Sequence, residues 1–97
     1  MKLAFRQSGG VTGVVRAITT DDLPPSDSAK AAQLLAQSGI KSSFEQTSPK
    51  ARDAQRYELT VWEDSHSYRL VVDDASLPET LAPLIEFLSE RARPVKR

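Results

Sequence analysis

The chain has 97 residues, and its thirteen lysines and arginines balance thirteen aspartates and glutamates, so no global charge favours nucleic acid or an anionic membrane. A chain of this length makes one domain, residues 1–97, burying about 60–65% of its unfolded surface, which suffices for a core without staples. Having no cysteine, it has no disulfide framework, no Cys-based zinc site and no thiol nucleophile. No run approaches the roughly 20 apolar residues of a membrane span. The start, MKLAFRQS, is too short and too soon charged for a signal peptide, so the expected compartment is the cytoplasm.

Lys2 to Gln7 alternates, with Leu3 and Phe5 on one side and Lys2, Ala4 and Arg6 on the other, which predicts a strand. Ser8-Gly9-Gly10 supplies the backbone freedom for a reversal. Thr12 to Thr20 is rich in β-branched residues and reads as a second strand. Its inward face is ambiguous between Val14/Ile18 and Val15/Ala17, and Gly13 hints at a bulge.

Asp21-Asp22-Leu23-Pro24-Pro25-Ser26 ends that strand and begins a helix. Each residue before a proline is pushed out of the α region, so Leu23 and Pro24 are expected to be extended. Pro25 suits a first helical position, and Ser26 is the alternative N-cap. The helix is predicted to run to about Ser38, with Ala31, Leu34, Leu35 and Ser38 forming one narrow stripe. Gly39 is placed to end it in the left-handed conformation, with Ile40 closing a Schellman turn. Lys41 to Gln55 is polar, contains Pro49, and reads as a structureless link.

Tyr57 to Val72 reads YELTVWEDSHSYRLVV. Folded at Asp64-Ser65, it sets Val61 opposite Tyr68, Leu59 opposite Leu70 and Tyr57 opposite Val72, all on one face. Glu58, Thr60 and Trp62 share the other face with Ser67, Arg69 and Val71, and Glu58 lies within diagonal reach of Arg69. A slip of one residue would turn the apolar set outward, so the register is strongly specified. Beyond it, Ser76-Leu77-Pro78-Glu79 has the form of a capping box. Leu77, Leu81, Leu84, Ile85 and Leu88 recur at helical spacing, with a kink or restart expected at Pro83. The basic tail, 92–97, is expected to fray. The order ββαββα predicts an α+β two-layer sandwich, a four-stranded antiparallel sheet with two helices on one face.

Nothing here has the spacing of a catalytic centre. His66 is the only histidine, and Asp64-Ser65-His66 is no triad, because neighbouring strand residues point to opposite faces. There is no metal-binding histidine pair, and Gly9-Gly10 leads toward a strand where a phosphate loop would lead into a helix. The chain is therefore read as a non-enzyme without cofactor or metal of its own. Nucleic-acid binding would rest only on the tail, Arg52 and Arg56, and is not expected. Asp73-Asp74 reads as a helix-start pair. Asp21-Asp22 is more suggestive, since Leu23 beside it is stiffened by two prolines and preorganisation lowers the cost of binding.

Four stretches, FRQSGG, DDLPP, YELTV and DDASLPETLAPLIEFLSERAR, together resemble the emfourin family, small bacterial proteins that inhibit thermolysin-family metalloproteases. The resemblance spans nearly the whole chain, with residues 41–55 its least family-like part. It implies an intracellular inhibitor, monomeric when free, of a protealysin-like enzyme encoded nearby. The target's cleft would hold a zinc ion with one exchangeable position beside an apolar pocket. A carboxylate can bind such an ion at about 2.0–2.2 Å while a neighbouring hydrophobe fills the pocket. On this reading the first candidates are Asp21, Asp22 and Leu23, with Asp22 toward the enzyme zinc and Leu23 toward the pocket. Ser8, Gly9, Gly10 and Val11 form the second candidate loop, expected at the opposite end of the sheet. A third possibility pairs Ile40 or Phe44 with Asp53. The residues alone equally allow a non-catalytic adaptor domain with another partner.

Overall fold

A computed structural model describes residues 2–9, 15–46 and 55–95. Strands β1 (Lys2–Gly9), β2 (Arg16–Thr19), β3 (Phe44–Gln46), β4 (Gln55–Trp62), β5 (Ser67–Asp73) and β6 (Arg93–Pro94) form one sheet in the order β3-β5-β4-β1-β2-β6. Helices α1 (Pro25–Ser38) and α2 (Ala82–Arg91) complete the α+β fold. The predicted antiparallel quartet is its centre, β5-β4-β1-β2, but the sheet has six strands where four were expected.

The two additions are short. β3 lies within the segment read as structureless and pairs in parallel with β5, Phe44 opposite Leu70 and Gln46 opposite Val72. β6 takes up part of the tail expected to fray: Arg93 and Pro94 face Ala17 and Arg16, and the Val95 amide donates to the Val15 carbonyl at 2.8 Å. Pro94 lacks an N–H, which is tolerated because this is the sheet's edge. Strands of two or three residues carry no readable alternation; they form because a sheet edge offers unpaired backbone groups.

The β4–β5 hairpin has the predicted register, with Tyr57, Leu59 and Val61 opposite Val72, Leu70 and Tyr68. Its turn closes with the Glu63 amide donating to the His66 carbonyl at 2.8 Å. The two hairpins join through β1 and β4, from Lys2 opposite Trp62 to Gly9 opposite Gln55. In β2, Ile18 is buried opposite Phe5, which resolves the inward face in favour of Ile18 over Ala17. Gly13 lies outside the described residues.

Helix α1 has the predicted bounds, with Pro25 at its first position and Gly39 at φ +76°. A Cβ at Gly39 would meet nothing within 4 Å among the described residues, so the left-handed backbone, not crowding, selects glycine. The end is not a full Schellman turn. The Ser38 hydroxyl donates to the Leu35 carbonyl at 2.6 Å and accepts the Ile40 amide at 3.2 Å, so one side chain satisfies both groups. Helix α2 departs further from expectation. Ser76 does not cap it; the Leu81 and Ala82 amides bond to the Pro78 carbonyl in a separate turn, and the helix begins at Ala82. Pro83 then sits in the first turn, where its missing N–H would have no partner in any case. Of the two outcomes expected at Pro83, the restart is the one adopted.

One cluster unites the layers: Leu3, Phe5, Ile18, Leu59, Val61, Leu70 and Val72 from the sheet with Ala31, Leu35, Leu81, Leu84, Ile85 and Leu88 from the helical side. At about 1.5–3 kcal/mol per fully buried large side chain, this is the dominant favourable term of the fold. Among the described residues, no helix lies on the opposite sheet face.

Candidate functional site

The sheet has two ends, and the sequence candidates divide between them. At the first lie Lys2, Trp62, the 63–66 turn and the segment leaving β2. Thr20–Asp22 forms a single 3-10 turn, where the end of a strand had been expected. The Leu23 amide donates to the Thr20 carbonyl at 3.2 Å, and the Ser28 hydroxyl donates to the same carbonyl at 3.0 Å, tying the turn to α1. The Thr20 hydroxyl accepts the Leu3 amide at 3.2 Å, tying it to β1. The turn is thus fixed from both sides while its two carboxylates stay exposed.

Asp21 pairs with Lys2 at 3.1 Å, and Asp22 accepts the Thr19 hydroxyl at 3.2 Å. Leu23 is extended, as the prolines dictate, but it is not exposed: it packs half-buried against the core. The exposed large apolar side chain at this end is Trp62, 42% accessible, with the Lys2 ammonium 5.6 Å from its ring centre. Lys2 therefore links Asp21 to Trp62 in one row.

At the second end lie Ser8 and Gly9. Gly9 has φ +92°, a backbone that favours glycine as the chain leaves β1. Gly10 and Val11 lie outside the described residues, as does Asp53. Ser8 and Gly9 stand beside Arg56 and Gln55, at the opposite end from Asp21 and Asp22, as expected from the pairing. Ile40 and Phe44 both pack half-buried against the core, and the Ile40 carbonyl accepts the Tyr68 hydroxyl at 3.4 Å.

A polar clasp at this second end was not foreseen. Asp74 accepts the Tyr57 hydroxyl and, at 3.3 Å, the Gln55 amide, while the Asp74 amide donates to the Gln55 carbonyl. Burial first, then the hydrogen bond to Asp74 and its charge, push the Tyr57 phenol well above its usual range. Burial, aided by the charge of Glu63, also raises Tyr68. The partners in the clasp lie 17 and 19 positions apart, so no local motif announces it.

Among the described residues there is no group of three or more His, Cys, Asp or Glu able to hold a metal ion, and no helix is long and apolar enough to cross a membrane. Fixed, exposed carboxylates at a sheet end are suited to recognition by a partner.

No curated protein and no solved structure matches the chain. The family model described as Emfourin matches residues 5–89, which takes in β1 from Phe5 onward, β2 to β5, both helices except the end of α2, and the two carboxylates of the 3-10 turn. A match over most of the chain establishes membership: the protein belongs to the emfourin family, which implies a general role as a metalloprotease inhibitor.

Proposed function

We propose that this protein inhibits a thermolysin-like, protealysin-like zinc metalloprotease by seating the 20–23 turn in its active-site cleft. The observation that carries this reading is the exposure of two carboxylates on a turn anchored to both β1 and α1. An inhibitor gains affinity when the groups it offers need no further ordering. Asp22 is the ligand offered to the enzyme zinc, since its second oxygen is left available by the single bond to Thr19. Asp21 is already engaged by Lys2. Leu23 is held by the core, so its accessible edge, supplemented by Trp62, supplies the apolar contact. The protein acts as a cytoplasmic monomer, and its extended 23–24 segment avoids cleavage because the two prolines and the start of α1 keep it from adapting to the cleft.

Inhibition of a thermolysin-like protease by the purified chain, and by Asp22→Ala, tests both parts. Inhibition by the parent with a loss of about tenfold or more in Asp22→Ala is expected, as for a hot-spot residue. Ser8→Arg, a bulky change at the other sheet end, is expected to inhibit normally. Abolished inhibition in Ser8→Arg with retained inhibition in Asp22→Ala would move the contact to the 8–11 loop. No inhibition by the parent at stoichiometric excess across several such enzymes would favour an adaptor role.

A further inference from the structure

The sheet face away from the helices carries an organised set of charges. Residues directly opposite in neighbouring strands share a face. The pairings therefore lay one continuous row across all six strands: Glu45, Val71, Glu58, Arg6, Ala17 and Arg93. One half of this row is internally neutralised. Arg69 meets Glu58 at 2.7 Å, and Arg56 lies 3.8 Å from both Glu45 and Glu58, so these four side chains surround Val71, which is buried on the face away from the helices.

The other half differs. Arg6 and Arg93 are exposed and make no ion pair among the described residues. Two strand spacings separate them, about 10 Å. Between them lies Ala17, and Ala4, Thr19 and Thr60 form the next row, so the floor beside the two guanidiniums is low. Exposed Trp62 and Lys2 stand one row further along.

We propose that this half of the open face docks an acidic polypeptide segment of a partner protein, with Arg6 and Arg93 each taking a carboxylate and Trp62 supplying the apolar anchor. Guanidinium forks match carboxylates in two-point geometry. The separation of the two arginines suits a pair of carboxylates better than one. A nucleic-acid strand fits less well, since Glu58 and Glu45 would face its phosphates and, among the described residues of this half of the face, Trp62 alone offers an exposed ring to stack a base. Because the chain as a whole is neutral, attraction here is local to this patch. The proposal does not rest on protease inhibition, and its test uses no protease.

The test is a titration of the isotope-labelled protein, followed by NMR, with a short peptide of Glu, Leu and Ala, its Gln counterpart, and a thymidine oligonucleotide. The expected result is shifts at Arg6, Ala17, Arg93 and the Trp62 indole with the Glu peptide, none with the Gln peptide, and weaker effects with the oligonucleotide. Arg6→Glu combined with Arg93→Glu is expected to weaken the Glu peptide about tenfold or more, whereas Lys30→Ala leaves it unchanged. Shifts spread over the helices, equal binding of the Gln peptide, tighter binding of the oligonucleotide, or unchanged affinity in the double variant would each overturn the proposal.

Discussion

Replacing Arg91 by alanine probes how the start of α1, and with it the 20–23 turn, is held against the end of α2. The Arg91 guanidinium meets Asp27 at 3.1 Å, donates to the Phe87 carbonyl at 3.0 Å and lies 3.7 Å from the centre of the Phe87 ring. Both partners of the ion pair keep 30% of their side-chain exposure, so the pair is discounted to about 0.5 kcal/mol for screening. The ring contact adds about 0.5–1 kcal/mol. The carbonyl bond adds about 1 kcal/mol. Loss of all three in Arg91→Ala sums to about 2 kcal/mol, which in a chain of this size lowers Tm by about 10 °C. Asp27→Ala removes the pair and an acid from the first turn of α1, for about 1 kcal/mol. Urea denaturation of both single variants and the double variant then yields a coupling energy of about 0.5 kcal/mol, the two losses adding less than fully because they share one contact. Strict additivity together with an Arg91→Ala loss under about 0.5 kcal/mol would refute the reasoning, and would mean that the helices are held by the apolar cluster alone.

Gly39→Ala is expected to cost about 1 kcal/mol although its methyl group meets only open space, because the penalty is that of the left-handed backbone; a thermal melt checks it, and Gly39→Asn should cost less. Leu59→Ala leaves a cavity at the middle of the sheet and is expected to lose about 3–5 kcal/mol in urea denaturation. Both tyrosine phenols are raised in the fold above the ordinary 10.0, so the neutral form is the one the fold favours. Their contribution is therefore complete below pH 10 and is lost as pH rises beyond it, which denaturation across the alkaline range checks, with Tyr57→Phe showing a shallower decline. The same variant, having lost only a bond to an exposed carboxylate, should lose less than about 1 kcal/mol at neutral pH.

Much of this fold was legible because side-chain period and punctuation agreed. Six apolar residues at alternate positions around Asp64-Ser65 allow only one register, and Pro25 with Gly39 marks both ends of α1. What escaped reading depends on tertiary capture. Phe44–Gln46 and Arg93–Pro94 become strands because sheet edges wait for them, and the apparent capping box at Ser76 is bypassed because the turn at Pro78 delivers the chain to Ala82. The candidate site was legible in part for the same reason. The acidic pair before two prolines stands out in sequence, but whether Leu23 faces solvent or core is decided by the neighbouring helices. The Asp74 clasp and the alignment of Arg6 with Arg93 on one sheet face emerge only once distant strands are paired.

The pairing of β1 with β4 has a kinetic consequence. Lys2 and Trp62 lie side by side in space and sixty positions apart in the chain, and β1 forms the centre of the finished sheet. β1 precedes the other strands of this sheet in the chain and must wait for its principal partner. The β4–β5 hairpin, closed by a local turn, can form in microseconds, whereas docking β1 on β4 requires closing a loop of nearly half the chain, from Gly9 to Gln55. Folding is therefore expected to be limited by this late docking, in the millisecond-to-second range of non-local topologies. Until then, even with β2 paired along one edge, Leu3 and Phe5 lie on a strand whose other edge is open. Arg6 and Lys2, alternating with them, supply the charge that discourages premature association.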